Sequence, residues 1–585
     1  MTQDTERAGS IARLADDYLE TTSSANPFTA SVFGVPGYDD RVPDLGEAAE
    51  LAAGERLLDL AAQAEAIPAD GLGDDDRVTR DVLIHSARSE AAPLVDRHLE
   101  FTVSGHAGPV AGVLATLAYT SLRTPQSERD YLSRMTGIRA YVDGITVRAS
   151  AGVASGRVPT RRGVEQTIER VRAYLATPAD ADLMVAPAAG TGVEDDVRAL
   201  VTDSIRPAFT ALLETLSGPV LAAARPDERS GLLHLPDGGE MYARAVAAHT
   251  TTSRTPEELH RLGLDLCAQL REEFSELGQK VFGISDFDTL VEKLRTDPAL
   301  RYASAEDIVA DARAAVARAE AALPRWFGRI PSADCVVEPM NAVVAPAAVI
   351  GEYMPPAGGR PGQYNVNTYQ PWTRTRFEYE TLAFHEGVPG HHLQFAAAQE
   401  LTRLPAFRRY HYIAAFGEGW GLYAERLADE MGLYSDDLFR FGMLSCDAWR
   451  ACRLVVDTGL HHQGWTRQQA IDFMLANSAV SPPNVVNEVD RYIAWPGQAL
   501  AYMTGRLEID ALRRAARERL GAGVDIRAFH DAVLGNGAVP LAVLSTEIHR
   551  WIGNQTRTNS PGEIVGGWTG AARPLRDGSA HRSGS

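Results

Sequence analysis

Three histidines and a glutamate fall close together in 381-TLAFHEGVPGHHLQFAAAQE-400: His385, Glu386, His391 and His392. Imidazole is the usual zinc ligand and a carboxylate beside the ion can take a proton from water, so these residue types point to metal-assisted hydrolysis. The familiar solution is His-Glu-x-x-His on a helix, which leaves the two rings about 40° apart around the axis. Here Pro389 stands where the second histidine of that pattern belongs. On an unbroken helix His391 points roughly 120° away from His385, and His392 lies on the same face about 10.5 Å further along, too far to share an ion. A regular helix therefore fails. Pro389 cannot donate to the carbonyl of His385, and Gly387 and Gly390 flank it, so the chain can break at GVPG and bring His391 back toward His385. Without that return, the stretch is a helix break with surface histidines.

A further ligand must come from elsewhere. In 418-EGWGLYAERLADEMG-432, Glu418 and Glu425 are seven apart and share a helical face. Either can complete a His2Glu set while the other orients a ligand. Glu418 is preferred because Gly417 and Gly419 let this turn approach another helix closely.

The segments 385-HEGVPGHHLQ-394, 418-EGWGLYAE-425, 453-RLVVDTGLHHQGWT-466 and 496-PGQALAYMTG-505, with 34-GVPGYDDRVPDLG-46 and 529-FHDAVLGNGAVPL-541, resemble those of the bacterial domain-of-unknown-function family 885. The likeness runs over nearly the whole chain, and that family is itself similar to the gluzincin metallopeptidases. The resemblance implies one zinc ion per chain held by His385, His391 and Glu418, with Glu386 handling the water proton. His392 is left as a substrate neighbour, or as the second ligand if the register through GVPG differs.

Two later segments offer further polar groups. Arg450, Arg453, Asp457 and His461 follow steps of three, four and four and form a polar stripe on an otherwise apolar helix. Asp457 can orient His461, His461 can donate to a developing oxyanion, and the planar fork of Arg453 suits a peptide carboxylate or, equally, a buried salt-bridge network. Glu488 and Arg491 can pair, while Tyr492, Tyr502 and Arg506 are donors for a tetrahedral intermediate or a substrate terminus. Pro496-Gly497 breaks the helix between the two tyrosines. Tyr242 and Arg244 are read as helix packing, and His260 as packing or surface.

The elements that must position these groups are mainly α-helical. The expectation is a large helical metallopeptidase-like fold with a cleft and a small β-sheet beside the metal-binding helix. Helices are expected at 8–25, 47–69, 76–97, 105–122, 127–152, 160–176, 192–216 with a kink at Pro207, 219–224 and 256–281, the last opened by the Thr255/Glu258 capping pair. Val-rich 333–350 and alternating 361–372 read as short strands. An exposed edge at 364–369 can hydrogen-bond an extended peptide, which makes Tyr364, Asn365 and Asn367 candidate substrate-binding residues. Helices at 507–519, 526–534 and 541–553 close the body. The organisation read is a helical N-terminal lobe over 1–330, a metal-site region over 331–555 and a flexible tail over 556–585.

Composition bounds the function. The chain has 585 residues, 45% hydrophobic and 23% charged, enough for a substantial core, and a formal charge of −20 argues against a broad nucleic-acid surface. The acidic amphipathic start predicts no signal peptide, no apolar run reaches spanning length, and four cysteines without a CxxC pair suit a reducing compartment, so the expected location is the cytoplasm. The preferred reading is a zinc metallopeptidase acting on short peptides. A metal-dependent hydrolase of a non-peptide amide or ester, or a non-catalytic helical binding protein, are the alternatives.

Overall fold

The computed structural model describes residues 2–105, 108–118, 120, 122–341, 345, 349–357, 360–521 and 524–559. Long helices dominate, and most begin and end where the chain carries its stop signals. Helix α1 (Thr2–Ala25) stops before Asn26-Pro27, α2 (Glu47–Ala66) and α3 (Asp74–Val95) form an antiparallel pair, and α4 (Pro125–Ser155) starts at a Thr124/Ser127 capping box. The Thr255/Glu258 box opens α5 (Pro256–Phe282), which ends on Gly283 at φ 70°. A glycine tolerates that left-handed turn without a Cβ clash. The kink expected at Pro207 is taken up by a π turn, Val201–Ile205, just before the proline; a second π turn, Leu216–Val220, contains Pro219. The helix expected at 105–122 is shorter, Pro109–Ala118.

After α6 (Ala305–Trp326) comes a small sheet: β1 (Cys335–Pro339), β2 (Gly351–Met354) and β3 (Gly362–Val366) in the order β1-β3-β2. Strand β3 is central. It pairs parallel with β1, Val337 opposite Tyr364, and antiparallel with β2, Tyr353 opposite Tyr364. This corrects the expected peptide edge at 364–369, because the β3 backbone already bonds on both sides. Tyr364 and Asn367 are fully buried. Asn367 Nδ2 donates to the carbonyls of Ala345 and Val349, and Asn365 Nδ2 donates to Glu352 across the sheet, so neither is poised for a substrate. The strand expected over 333–350 is realised only at Cys335–Pro339; residues 342–344 and 346–348 of it lie outside the described residues.

The site elements follow. Helix α7 (Arg376–Glu386) ends where GVPG begins, α8 (His391–Gln399) restarts after it, and α9 (Ala414–Glu430), α10 (Arg440–Thr458), α11 (Pro482–Ala494) and α12 (Ala501–Leu520) pack around the pair. Helices α9 and α12 cross where a Cβ on Gly505 would sit 1.8 Å from the Ala415 carbonyl oxygen and one on Gly419 would sit 2.5 Å from Gly505 Cα. Only glycines allow that approach. One apolar core joins α1 to α3, α6, β3, α7, α9, α12 and the last helix, α13 (Leu541–Asn559), with Leu60, Val82, Phe384, Trp420 and Ile548 fully buried in it. Helix α13 runs past the end expected for it at 553, and the tail from 560 lies outside the described residues.

Candidate metal centre

The break at GVPG does what the proline and glycines predict. Helix α7 ends at Glu386, the Val388-Pro389 peptide is cis, and Gly387 and Gly390 adopt non-helical ψ values of −123° and −126°. A Cβ on Gly390 would lie 2.0 Å from the His385 carbonyl oxygen, so the chain folds back onto its own helix end only as glycine. Trp420 of α9 pins the turn, its Nε1–H donating to the Pro389 carbonyl at 2.9 Å. The return places the His391 ring edge-on to that of His385, centroids 4.7 Å apart.

Glu418 completes the group. Its Oε2 lies 3.6 Å from His385 Nε2 and 3.7 Å from His391 Nε2, and one ligand atom from each of the three residues falls within 4.8 Å of the others. Bonds near 2.0–2.1 Å set tetrahedral ligand atoms about 3.4 Å apart, so the donors are spaced for an ion between them. The atoms turned away from the centre are all engaged. His385 Nδ1–H donates to Glu425 Oε1 at 2.8 Å, His391 Nδ1–H to Gln394 Oε1 at 3.3 Å, and the Tyr412 hydroxyl to Glu418 Oε1 at 2.6 Å. With the Nδ1 atoms protonated, both Nε2 lone pairs face inward, the tautomer a metal requires. A soft or borderline divalent cation fits this His2Glu set.

Without a cation the site runs on protons. Burial lowers the His385 pKa, but hydrogen bonds to Glu418 and Glu425 raise it to about 10; burial raises that of Glu418, but the two histidines carry it well below the usual carboxylate range. Such a proton is what a divalent ion displaces. Glu386 is half-buried and not part of the triad, and burial raises its pKa while His385 and His391 oppose the shift.

Several expected participants are held elsewhere. His392 Nε2–H donates to the Ala333 carbonyl at 3.0 Å and its Nδ1 accepts from the Tyr353 hydroxyl at 2.9 Å, so it is neither a ligand nor a substrate contact. His461 is fully buried, its Nδ1 accepting from Leu232 N–H and its Nε2–H donating to the Tyr492 carbonyl; it cannot serve an oxyanion. Asp457 does not orient it, but accepts from the Tyr242 hydroxyl at 2.6 Å and from Gly497 N–H. The Tyr492 hydroxyl accepts from Trp449 and Arg453 and donates to Glu488, which fills it. Arg453 also reaches Glu488 at 2.8 Å, the salt-bridge outcome, and Arg491 pairs with the same acid. Arg506 is taken by Asp447 at 3.2 Å. Tyr502 accepts from Arg491 at 3.3 Å, which leaves its own proton to donate. Among the described residues the buried Tyr364 hydroxyl has no hydrogen-bond partner.

The sequence reading missed Tyr412 and Gly421. Tyr412 lies six residues before Glu418 in a segment whose irregular course periodicity cannot follow. Gly421 sits between the two glutamates of α9, and a Cβ there would meet the His385 ring at 2.6–2.9 Å. A glycine in mid-helix between two candidate acids was the available signal. Gly417 and Gly419, by contrast, make room for the Tyr412 ring and for α12.

No curated protein matches the chain. Among solved structures, a provisionally named lipoprotein from Colwellia psychrerythraea is 27% identical with a TM-score of 0.87, covering 94% of this chain and 99% of that one. A second, a provisionally named lipoprotein of unknown function from Shewanella oneidensis, is 18% identical with a TM-score of 0.72 over 92% and 99%, a likeness of fold alone. Among the described residues no helix is long and apolar enough to cross a membrane. The family model described as "Bacterial protein of unknown function (DUF885)" matches residues 27–548, and the chain belongs to that family.

Proposed function

We propose that the protein is a zinc-dependent hydrolase of amide bonds in short peptides, with a gluzincin-like site in a cleft of the helical body. The observation that carries this reading is the convergence of His385, His391 and Glu418, each oriented from behind by Glu425, Gln394 or Tyr412, with a fourth acid, Glu386, left out of the triad. Zinc in this set would polarise the scissile carbonyl and make water acidic near neutral pH. Glu386 takes the water proton and passes it to the leaving amine. We assign the developing oxyanion to the Tyr502 hydroxyl, which accepts from Arg491 and keeps its own proton to donate. The histidines are nearly buried and Glu418 is 14% exposed, so a recessed centre admits a short chain rather than a folded protein. The proposed compartment is the cytoplasm, on the four unpaired thiols. The lipoprotein designation of the Colwellia psychrerythraea relative favours export instead, and cell fractionation decides between the two.

The test is metal content by mass spectrometry beside cleavage of a mixed peptide library. One zinc per chain and chelator-sensitive cleavage are expected. Zinc-loaded protein that cleaves no library member overturns the peptidase reading, and density at the zinc edge with His391 and Glu418 turned away overturns the ligand set.

A further inference from the structure

A guanidinium cannot shed its charge, so burying one without an acid is costly and calls for a partner. Arg450 on α10 is such a group. It is 7% exposed, and among the described residues its Nε and Nη1 have no hydrogen-bond acceptor and no carboxylate lies within ion-pair distance of it. Its guanidinium carbon lies 4.6 Å from the Trp449 ring centroid and 5.8 Å from that of Tyr502, and the Cys446 thiol is its polar neighbour. Aromatic faces support a cation but accept no N–H in its plane. Arg453, one turn on, lies over the same rings at 4.6 and 4.2 Å, and its Nη1 also lacks an acceptor although Nε and Nη2 are used. Nearby Arg426, Arg491 and Arg506, by contrast, each have an acid. The Arg450 charge is felt at Glu386, the residue after the ligand His385, and the Glu425 charge is felt at Arg450.

We propose that Arg450, with the free Nη1 of Arg453, forms a subsite for the C-terminal carboxylate of a short peptide, so that the enzyme removes residues from that end. The proposal rests on the hydrolase reading above and deepens it. A planar, buried fork backed by two rings matches a carboxylate, which accepts two parallel N–H bonds. The anion would supply the acceptors that Arg450 lacks.

The experiment uses the full-length zinc-loaded protein and two tripeptide libraries of identical composition, one with free C-termini and one amidated. Cleavage is read by mass spectrometry, and retention is read on immobilised Glu386→Gln protein. Free-acid peptides should be favoured by about 100-fold, as expected for losing one partner of a buried charge pair, with single C-terminal residues released. In Arg450→Gln the free-acid to amide ratio should fall to near one at unchanged zinc content, and Arg450→Lys should keep part of it. Should Arg450→Gln not fold, the wild-type contrast and the lysine variant decide. Equal handling of the two libraries, or an unchanged ratio in the arginine variants, overturns the subsite. Selection of amidated peptides bearing Asp or Glu side chains overturns the C-terminal assignment. Discriminating retention without zinc-dependent cleavage supports the subsite and removes the hydrolase reading.

Discussion

His385 Nδ1 and Glu425 Oε1 are 2.8 Å apart, both buried, on helices that approach each other because Gly421 has no side chain. The bond fixes the tautomer and the ring plane of His385, so Glu425 acts on the ion only through the histidine. Replacing Glu425 by Gln keeps an acceptor but removes the charge. Zinc affinity should fall about 10- to 100-fold, with the fold retained. Titration against a competing chelator measures it, and unchanged affinity would show that the contact does not tune the ligand.

Gly421→Ala tests the same contact sterically. The added methyl would overlap the His385 ring, and overpacking of this kind costs about 1–3 kcal/mol. Lower thermal stability and impaired zinc binding are both expected, while Gly553→Ala, in the last helix where a Cβ meets nothing within 4 Å, should leave zinc binding unchanged and lower stability not at all.

Glu386 and His385 should separate chemistry from binding. Glu386→Gln should retain zinc and peptide but lose turnover by at least about 100-fold, the contribution of a general base. His385→Ala should lose the metal, and activity with it. Metal stoichiometry beside kcat distinguishes the two; wild-type kcat in Glu386→Gln would remove that residue from the mechanism.

Asp457 carries a pH dependence outside the metal centre. Burial, opposed by hydrogen bonds from Tyr242 and Gly497, raises its pKa from 3.8 to about 7. The native state therefore holds a proton that the unfolded chain releases above pH 3.8, and this group's contribution to stability falls as pH rises toward 7 and is flat beyond it. The change is bounded at about 4 kcal/mol. Urea denaturation of wild type and Asp457→Asn across this range should show a steeper loss in the wild type; parallel profiles would mean that Asp457 stays ionised.

Much of the site was legible because local rules govern it. Pro389 between two glycines forbids a continuous helix, so the break and the return of His391 follow from backbone chemistry, and the seven-residue step on α9 puts Glu418 and Glu425 on one face. The Thr255/Glu258 cap and the glycine-led approach of helices follow in the same way. The polar stripe on α10 shows where such reasoning ends. Periodicity grouped Arg450, Arg453, Asp457 and His461 on one side, but the helix ends at Thr458 and His461 falls in the π turn after it, and what these groups meet depends on α11, on the segment at Leu232 and on Gly497, all distant in sequence.

The sheet gives the same lesson. Alternation in 361–372 identified a strand, but whether its edge is free depends on β1 and β2, and both pair with it. The sequence by itself determined which residue types stand at each helix break and which share a face, because those follow from chain geometry over a few residues. Only the tertiary structure decided that Glu425 lies behind His385, that Tyr412 holds Glu418 and that Arg450 has no ion-pair partner among the described residues, because hydrogen-bond partners are set by packing between elements far apart in the chain.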